Sequence, residues 1–269
     1  DIPCGATLLG LSDIPTGHRL NKGMLGMHGN LGPNVKTNEC DVLIAIGMRF
    51  DDRVTGNLET YARQAKIIHL DIDPAEVNKN VAVDVAVLGD CKQTLRQLTE
   101  RVTEARHTDW IESFKPYEEQ EYAHVIESEV YPKEGPLKMG EVARAVSDAA
   151  GGNAILVTDV GQNQMLSARY FNYAQKRSIV TSGGLGTMGY SMGAAFGAAM
   201  GCPDQTVVMF AGDGGFHMNL SELATMASYN IPVKMFIMNN TVLGMVRQWQ
   251  KLFYDNRFSD TDPHRVTDF

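Results

Sequence analysis

Two short stretches put oxygen donors where a sheet could bring them together. "AGDGGFHMN" (Ala211–Asn219) sets one acid, Asp213, among glycines after the apolar run "TVVMF". "VKMFIMNN" ends the next apolar run on Asn239 and Asn240. Read as strands joined by one helix, the two runs are parallel neighbours that finish on the same sheet edge. Asp213 and Asn240, 27 positions apart, then meet at the carboxyl ends of the strands, where open α/β sheets bind ligands. A carboxylate and an amide carbonyl are hard oxygen donors that suit Mg²⁺, which fills its remaining positions with phosphate oxygens and water. Gly212, Gly214 and Gly215 allow the backbone to approach a bulky anion. The following helix is expected to begin near Asn219, with Glu222 three residues on as in a capping box, and its amino end favours negative charge. A metal bridge would hold a diphosphate in a loop that has no lysine. G-D-G alone is often only a turn; the asparagine pair after the next strand is what makes the pattern specific.

The elements around these residues alternate. "DVLIAIG" (Asp41–Gly47), "KIIHLDI" (Lys66–Ile72) and "VAVDVAVLGD" (Val81–Asp90) are short, β-branched apolar runs that stop at turn residues. Such runs suit strands covered on both faces of a parallel sheet. "CKQTLRQLTERV" (Cys91–Val102) spaces Leu95, Leu98 and Val102 as one helical face. From 104 to 136 the composition turns acidic and aromatic and is broken by Pro116, Pro132 and Pro136, which reads as a helical connector. Its Trp110, Phe114 and Tyr117 would dock it on a neighbouring surface. Beyond it the alternation resumes: helix Met139–Ala150, strand "AILVTDVG", helix Asn163–Tyr170, strand "SIVTSGG", helix Gly189–Met200, strand "TVVMFAGDG", helix Ser221–Tyr229, strand "VKMFIMNN". The pattern predicts an α/β protein of two doubly wound parallel-sheet domains, 1–103 and 137–269, on either side of the connector. "GATLLGL" near the start is strand-like, and both ends are abrupt, as in a piece of a longer chain.

Composition excludes several classes. The 269 residues are 43% apolar and 21% charged, as in a globular protein. The net charge of −8 argues against nucleic acid, whose phosphates are bound mainly by Lys and Arg. No apolar run approaches the about 18 residues of a membrane span, and no basic region leads a long apolar segment at the start. Cys4, Cys40, Cys91 and Cys202 are far apart and form no C-x-x-C, which fits a reduced, cytoplasmic setting without a cysteine metal site. "GGLGTMG" contains G-x-G-x-x-G at Gly184, Gly186 and Gly189, but position 209, where a dinucleotide site would want an acid, is Met209. A nicotinamide site is therefore not expected there.

Strand, GDG, helix, strand, NN resembles the diphosphate anchor of thiamine-diphosphate enzymes. "SGGLGTMGY" (Ser182–Tyr190), "NNTVLGMVRQWQ" (Asn239–Gln250), "GMLGMHG" (Gly23–Gly29) and "GMRFDDRVTGN" (Gly47–Asn57) narrow the resemblance to the acetohydroxyacid synthase (acetolactate synthase) catalytic subunit. It covers nearly the whole chain. By this resemblance the first domain is the Rossmann-like central domain that carries FAD, and the second is the domain that holds the thiamine diphosphate and its metal.

The resemblance implies site residues one by one. Asp213, Asn240 and the carbonyl of Val242 would ligate Mg²⁺. Gln162 and Asn163 of "GQNQ", with Gly186, Gly212, Gly214 and Gly215, would face thiamine diphosphate; Asn163 stands where the family usually has His, and Gly215 where it has Ser or Ala. Met188 matches the wedge that keeps the cofactor bent, although a Met is as a rule core filler. Met245 and Trp249 match residues over the reacting group, with Trp249 favouring 2-ketobutyrate, although a Trp there could equally be a packing anchor. These three are the catalytic candidates. FAD contacts would come from Thr7, Leu8, Leu25, Met27, His28, Gly47, Arg49, Asp51, Arg53, Val54, Asp71, Ile72, Asp90 and Cys91. The physics favours several: Gly47 ends a strand, Arg49 and Arg53 can pair with a diphosphate, and Asp71 and Asp90 end successive strands. His28 alone would more often be a satisfied structural histidine.

The implied activity joins pyruvate to a second pyruvate or to 2-ketobutyrate, in branched-chain amino-acid biosynthesis, as a homodimer or larger homo-oligomer with a regulatory small subunit. The Glu that activates the cofactor lies in a family segment with no match here, so the chain by itself is expected to be inactive. The alternatives are another thiamine-dependent 2-ketoacid decarboxylase or oxidase, and a non-catalytic flavin- or nucleotide-binding piece. "RFDDR" and "GMVRQWQ" argue against the first, and a flavin spectrum with a thiamine diphosphate titration would separate the second.

Overall fold

A computed structural model describes residues 1–261. The end of the second predicted domain, 262–269, lies outside the described residues. The chain divides into two compact units, 1–7 with 19–125, and 8–18 with 126–269. The division falls inside the predicted connector, and the segment Leu8–His18 belongs to the second unit.

In the first unit, β1 (Cys4–Ala6) pairs in parallel with β2 (Asn21–Met24). The strand-like start is thus short, because Leu8–Gly10 turns as a 3₁₀ helix. Helix α1 (Leu31–Thr37) follows. The unit's main sheet is parallel, in the order β3 (Val42–Ile46), β4 (Lys66–Asp71), β5 (Val85–Leu88). Strand β5 begins at Val85, four residues later than the apolar pattern; Asp84 is spent on the backbone, its Oδ2 accepting from Ile67 N at 2.8 Å. Helices α2 (Asp52–Thr55), α3 (Cys91–Thr99), α4 (Thr108–Glu112) and α5 (Lys115–Glu121) complete the unit. Ala45, Phe50, Tyr61, Ala62 and Ile67 form its core. Helix α5 docks on α1: Phe114 is buried, and the Lys36 ammonium lies 4.8 Å from the Trp110 ring centroid and 5.2 Å from that of Tyr117, within cation–π range. Buried Glu121 accepts from Leu31 N at 3.0 Å and Asn30 Nδ2 at 3.2 Å, closing the amino end of α1.

In the second unit, α6 (Glu127–Val130) and α7 (Met139–Ala149) lead into β6 (Ile155–Thr158), α8 (Gln162–Tyr170), β7 (Ile179–Thr181) and α9 (Tyr190–Gly201). Next come β8 (Val207–Gly212), α10 (Asp213–Met218), α11 (Glu222–Ser228), β9 (Val233–Met238) and α12 (Gly244–Phe253). The sheet is parallel throughout, in the order β7-β6-β8-β9. Every residue of β6 is buried, as is β8 up to Ala211, so both strands are covered on two faces and their sequences are apolar without alternation. Met192, Ala195 and Ala199 of α9 pack with Val157, Val207 and Met209 in the main cluster. Each fully buried large apolar side chain contributes about 1.5–3 kcal/mol, and Leu156, Val157, Met192, Met209 and Phe210 are all below 2% exposed.

The strand order decides where a ligand can sit. From β6 the chain steps to β7 on one side, then crosses back to β8 on the other. The carboxyl ends of β6 and β8 therefore flank a topological switch point, where the outgoing loops diverge and leave a crevice. The first unit's main sheet runs β3, β4, β5 in sequence and has no such reversal among the described strands.

Candidate functional site

The segments leaving β6 and β8 are "DVGQNQ" and "GDGG", the stretches singled out for chemistry. The helix after GDG begins at Asp213 itself, not near Asn219. Asn219 sits just past its end, the next helix is capped at Ser221 without a side-chain bond, and no capping box with Glu222 forms. Asn219 Nδ2 donates instead to Gly189 O. The helical pattern here was masked by "DGGFHM", whose glycines and Asp argue against a helix on propensity.

Strands β8 and β9 pair through Gly212 and Met238. Asp213 is thus one residue, and Asn240 two residues, past the last paired positions on the same edge. Asp213 is 5% exposed. Among the described residues its carboxylate has no hydrogen bond or ion pair. A buried carboxylate is costly unless paired, so this group is one that a cation would satisfy. Asn240 Oδ1 accepts from Val242 N at 3.1 Å, with Thr241 between them at φ +59°. Asn240 and Val242 therefore form one tight turn, and the amide oxygen keeps a second lone pair.

The other predicted residues converge on these. Asn240 Nδ2 donates to Gln162 Oε1 at 3.3 Å. A Cβ at Gly244 would stand 2.3 Å from Gln162 Oε1 and 2.6 Å from Asn240 Nδ2, so only glycine admits both side chains. Asn163 is buried; its Nδ2 donates to Val160 O at 3.3 Å and lies 3.2 Å from a Cβ built on Gly212, while its Oδ1 has no partner. A Cβ on Gly214 would lie 3.3 Å from Met188 Cε and 3.2 Å from Leu243 Cδ2. Met188 thus leans over the GDG turn rather than filling a core. Gly215 leaves room for Asp159, whose Oδ1 would be 2.1 Å from a Cβ there. Gly186, at φ +64°, is exposed in the loop before α9. Met245 and Trp249 fall four apart on α12, hence on one face; the Trp249 ring packs on Phe253 with centroids 4.7 Å apart.

Two polar side chains at this edge went unremarked in the sequence. Asp159, fully buried, accepts from Gly189 N at 3.0 Å, Ser191 N at 3.1 Å, Ser191 Oγ at 2.7 Å and Val160 N at 2.9 Å. Gln164 donates to Thr181 Oγ1 at 2.8 Å and Ser182 O at 3.2 Å. An acid immediately after an uninterrupted apolar strand was the available signal for Asp159.

In the first unit the carboxyl ends of β3, β4 and β5 carry Gly47, Asp71 with Ile72, and Asp90 with Cys91. Gly47 has φ +60°, and a Cβ there would meet Cys91 Sγ at 4.0 Å. The "RFDDR" loop is fixed by Asn80 Nδ2, which donates to Arg49 O at 3.2 Å and Phe50 O at 3.1 Å. Phe50 has φ +52° and is buried against His69, ring centroids 5.1 Å apart. A bulky residue in that region costs about 1–3 kcal/mol and persists only where its surroundings hold it. Arg49 pairs with Asp51 at 2.5 Å, and Asp51 also accepts from Arg53 N at 3.0 Å. Asp90 accepts from Gln93 N at 3.1 Å at the start of α3, and Asp71 from Asp73 N at 2.9 Å. Met27 N donates to Arg53 O at 2.8 Å, and a Cβ at Gly26 would meet Arg53 O and Val54 Cα at 2.7 and 3.2 Å, so Leu25–His28 lies against Arg53–Val54. Thr7 ends the first unit's opening segment, whereas Leu8 belongs to the second unit.

Residues 1–98 match the model "Thiamine pyrophosphate enzyme, central domain", and residues 159–269 match "Thiamine pyrophosphate enzyme, C-terminal TPP binding domain". The chain belongs to the thiamine pyrophosphate enzymes. Within them it is a homologue of acetolactate synthase large subunits. It is 46% identical to the acetolactate synthase large subunit of Parasynechococcus marenigrum over 97% of this chain and 42% of the relative. It is 44% identical to the probable acetolactate synthase large subunit of Methanocaldococcus jannaschii over 100% of this chain and 46% of the relative. It is 37% identical to the acetolactate synthase isozyme 3 large subunit of Escherichia coli over 100% and 47%. The chain spans less than half the length of these curated relatives. Among the described residues no helix is long and apolar enough to cross a membrane.

Proposed function

We propose that this chain supplies the flavin-carrying and thiamine-carrying parts of an acetolactate synthase catalytic subunit. The reaction joins pyruvate to a second 2-ketoacid, pyruvate or 2-ketobutyrate, with loss of carbon dioxide, in branched-chain amino-acid biosynthesis. The observation that carries the reading is Asp213: a carboxylate on a buried residue, with no partner among the described residues, at the switch point, one strand away from Asn240. With Asn240 and the carbonyl of Val242 it offers the oxygen set that Mg²⁺ takes, leaving positions for diphosphate oxygens. Gln162 and Asn163 sit at the amino end of α8 beside the same crevice; Asn163 Nδ2 is spent on Val160 O, and its Oδ1, an acceptor without a partner among the described residues, would take a hydrogen from a ligand donor. When bound, thiamine diphosphate supplies the carbanion chemistry. Met188, whose Cε lies by Gly214, would press on a bound cofactor, and Met245 and Trp249, on one face of α12, would wall the reacting group from water. In the first unit, Gly47, Arg49, Asp51, Arg53, Val54, Asp71, Ile72, Asp90 and Cys91 with Thr7, Leu25, Met27 and His28 would hold FAD. The domain extents 1–103, 104–136 and 137–269 remain part of this reading, as do a homodimer or larger assembly and a regulatory small subunit, which the relatives' "large subunit" names support. Four free cysteines fit a cytoplasmic setting.

The test is made on the full-length protein. Thiamine diphosphate should bind only with Mg²⁺ present, and pyruvate should yield acetolactate. Binding that ignores Mg²⁺ would overturn the metal assignment. A flavin that binds without any thiamine diphosphate would favour the flavin-binding alternative.

A further inference from the structure

We propose that Asp159 and Gln164 are positioning residues that stake both ends of the Met188 loop to the segment carrying the diphosphate-facing amides. The inference rests on the reading of this crevice as a thiamine diphosphate site. The loop is Ser182–Gly189, between β7 and α9. Its middle is exposed, with Leu185 96% exposed and nothing within 4 Å of a Cβ at Gly184. Among the described residues no main-chain to main-chain hydrogen bond outside helices and strands reaches Gly183–Gly186, and a turn at Met188–Gly189 leads into α9. Apart from Gly183, which packs against Leu9, the loop is held chiefly at its two ends.

At the first end, the Gln164 amide donates to Thr181 Oγ1 and Ser182 O, and Thr181 Oγ1 is itself bonded to Thr158 Oγ1 at 2.7 Å. Ser182 Oγ then accepts from Thr187 N at 3.0 Å, folding the loop on itself. At the second end, Asp159 takes the amides of Gly189 and Ser191 together with the Ser191 hydroxyl. Gly189 has φ +83°, a conformation that favours glycine, and a Cβ there would crowd Met218 Cβ at 3.0 Å. Its carbonyl is held by Asn219, at the end of the GDG helix. Met188, the residue before it, is fixed over Gly214 as a consequence.

Asp159 and Gln164 bracket Gln162 and Asn163 in sequence. One six-residue stretch thus sets two amides beside the crevice and grips the Met188 loop with the polar side chains on either side of them. Anchoring the cofactor and bending it become properties of one rigid body. A shift of about 1 Å in a positioning group can cost about 100-fold in rate, so the grip should act on turnover more than on binding.

The test uses the full-length protein with Gln164→Met, which keeps length and loses the donors, and Asp159→Asn, which sets an N–H against Ser191 N–H. Amide exchange over 183–191 should quicken at least about tenfold in each variant. The turnover number should fall about tenfold or more, with thiamine diphosphate affinity in Mg²⁺ changed less than about threefold. The near-ultraviolet circular dichroism of the bound cofactor should change with turnover. If the wild type binds the cofactor yet both variants keep wild-type exchange and turnover within about twofold, the inference fails while the site reading stands. A uniform loss of melting temperature and cofactor affinity with turnover per bound site unchanged would show a merely structural role and also overturn it. If the wild type binds no thiamine diphosphate, the site reading fails first, and this inference with it.

Discussion

The two parallel sheets carry their candidate residues at the same place, the carboxyl ends of the strands, but in opposite electrostatic states. At the β6/β8 edge, buried Asp213 and the Asn163 Oδ1 have no partner among the described residues. At the β3/β4/β5 edge the acids are already occupied: Asp51 by Arg49 and a helix amide, Asp90 by the amino end of α3, Asp71 by Asp73 N. The first edge has a strand-order reversal and so a crevice; the second has none among the described strands. A site is announced by polar groups that the fold brings together and then leaves unpaired. Where the fold pairs them itself, a ligand must compete with those bonds, and the edge reads equally well as ordinary capping.

That contrast can be broken most sharply at Asp213. In the full-length protein Asp213→Asn should cost more than about 100-fold in Mg²⁺-dependent thiamine diphosphate affinity, because even partners one shell beyond a metal cost about 10–100-fold. The same change should raise the stability of the metal-free protein by about 1 kcal/mol, since it removes an uncompensated buried charge. Loss of affinity with no gain in stability would mean that the carboxylate is not unpaired after all. Gly244→Ala comes next. Its Cβ would displace Gln162 and Asn240 together, and about a tenfold loss of cofactor affinity is expected with flavin retention unchanged. At the other edge, Arg49→Ala should weaken flavin binding about tenfold, the worth of one charge-assisted contact, and leave thiamine diphosphate affinity as it was. A loss of both ligands would show that the two edges are not independent.

How much of this was legible in the sequence follows from the same physics. Strands β6 and β8 announce themselves because burial on both faces demands unbroken apolar runs, and the turn residues that end them mark the edge. Asp213 and Asn240 could be paired from topology alone, since one right-handed crossover fixes which ends are shared. The staples Asp159 and Gln164, and the bond of Asn219 to Gly189 O in place of the expected cap, were not legible, because their partners are mostly backbone amides and carbonyls that sequence does not display. The helix at Asp213–Met218 was hidden for a related reason: two of its first three residues are glycines, and tertiary packing overrides their poor propensity. β5 was drawn too long because Val81 and Val83 are apolar for packing on the first unit's core, not for pairing in the sheet.

The smallest effects compare two buried tyrosines, one in each unit. Tyr61 is buried with its hydroxyl unpartnered among the described residues, whereas the Tyr173 hydroxyl donates to Ala168 O at 2.9 Å. Tyr61→Phe should therefore be neutral or stabilising, and Tyr173→Phe should cost about 1 kcal/mol, the net worth of one hydrogen bond. Burial pushes the Tyr61 phenol up to about 12, with the neighbouring Cys40 adding to it, and burial raises Tyr173 as well. Both groups are held neutral in the fold, so their contribution to stability is complete below the unfolded pKa of about 10 and is lost as pH rises through the folded values. Urea unfolding at pH 8 and pH 11 should show that loss in the wild type and a shallower one in each Phe variant. Equal costs for the two substitutions at pH 8 would mean that Tyr61 has found a partner, and the first unit would then be as fully satisfied in its core as at its edge.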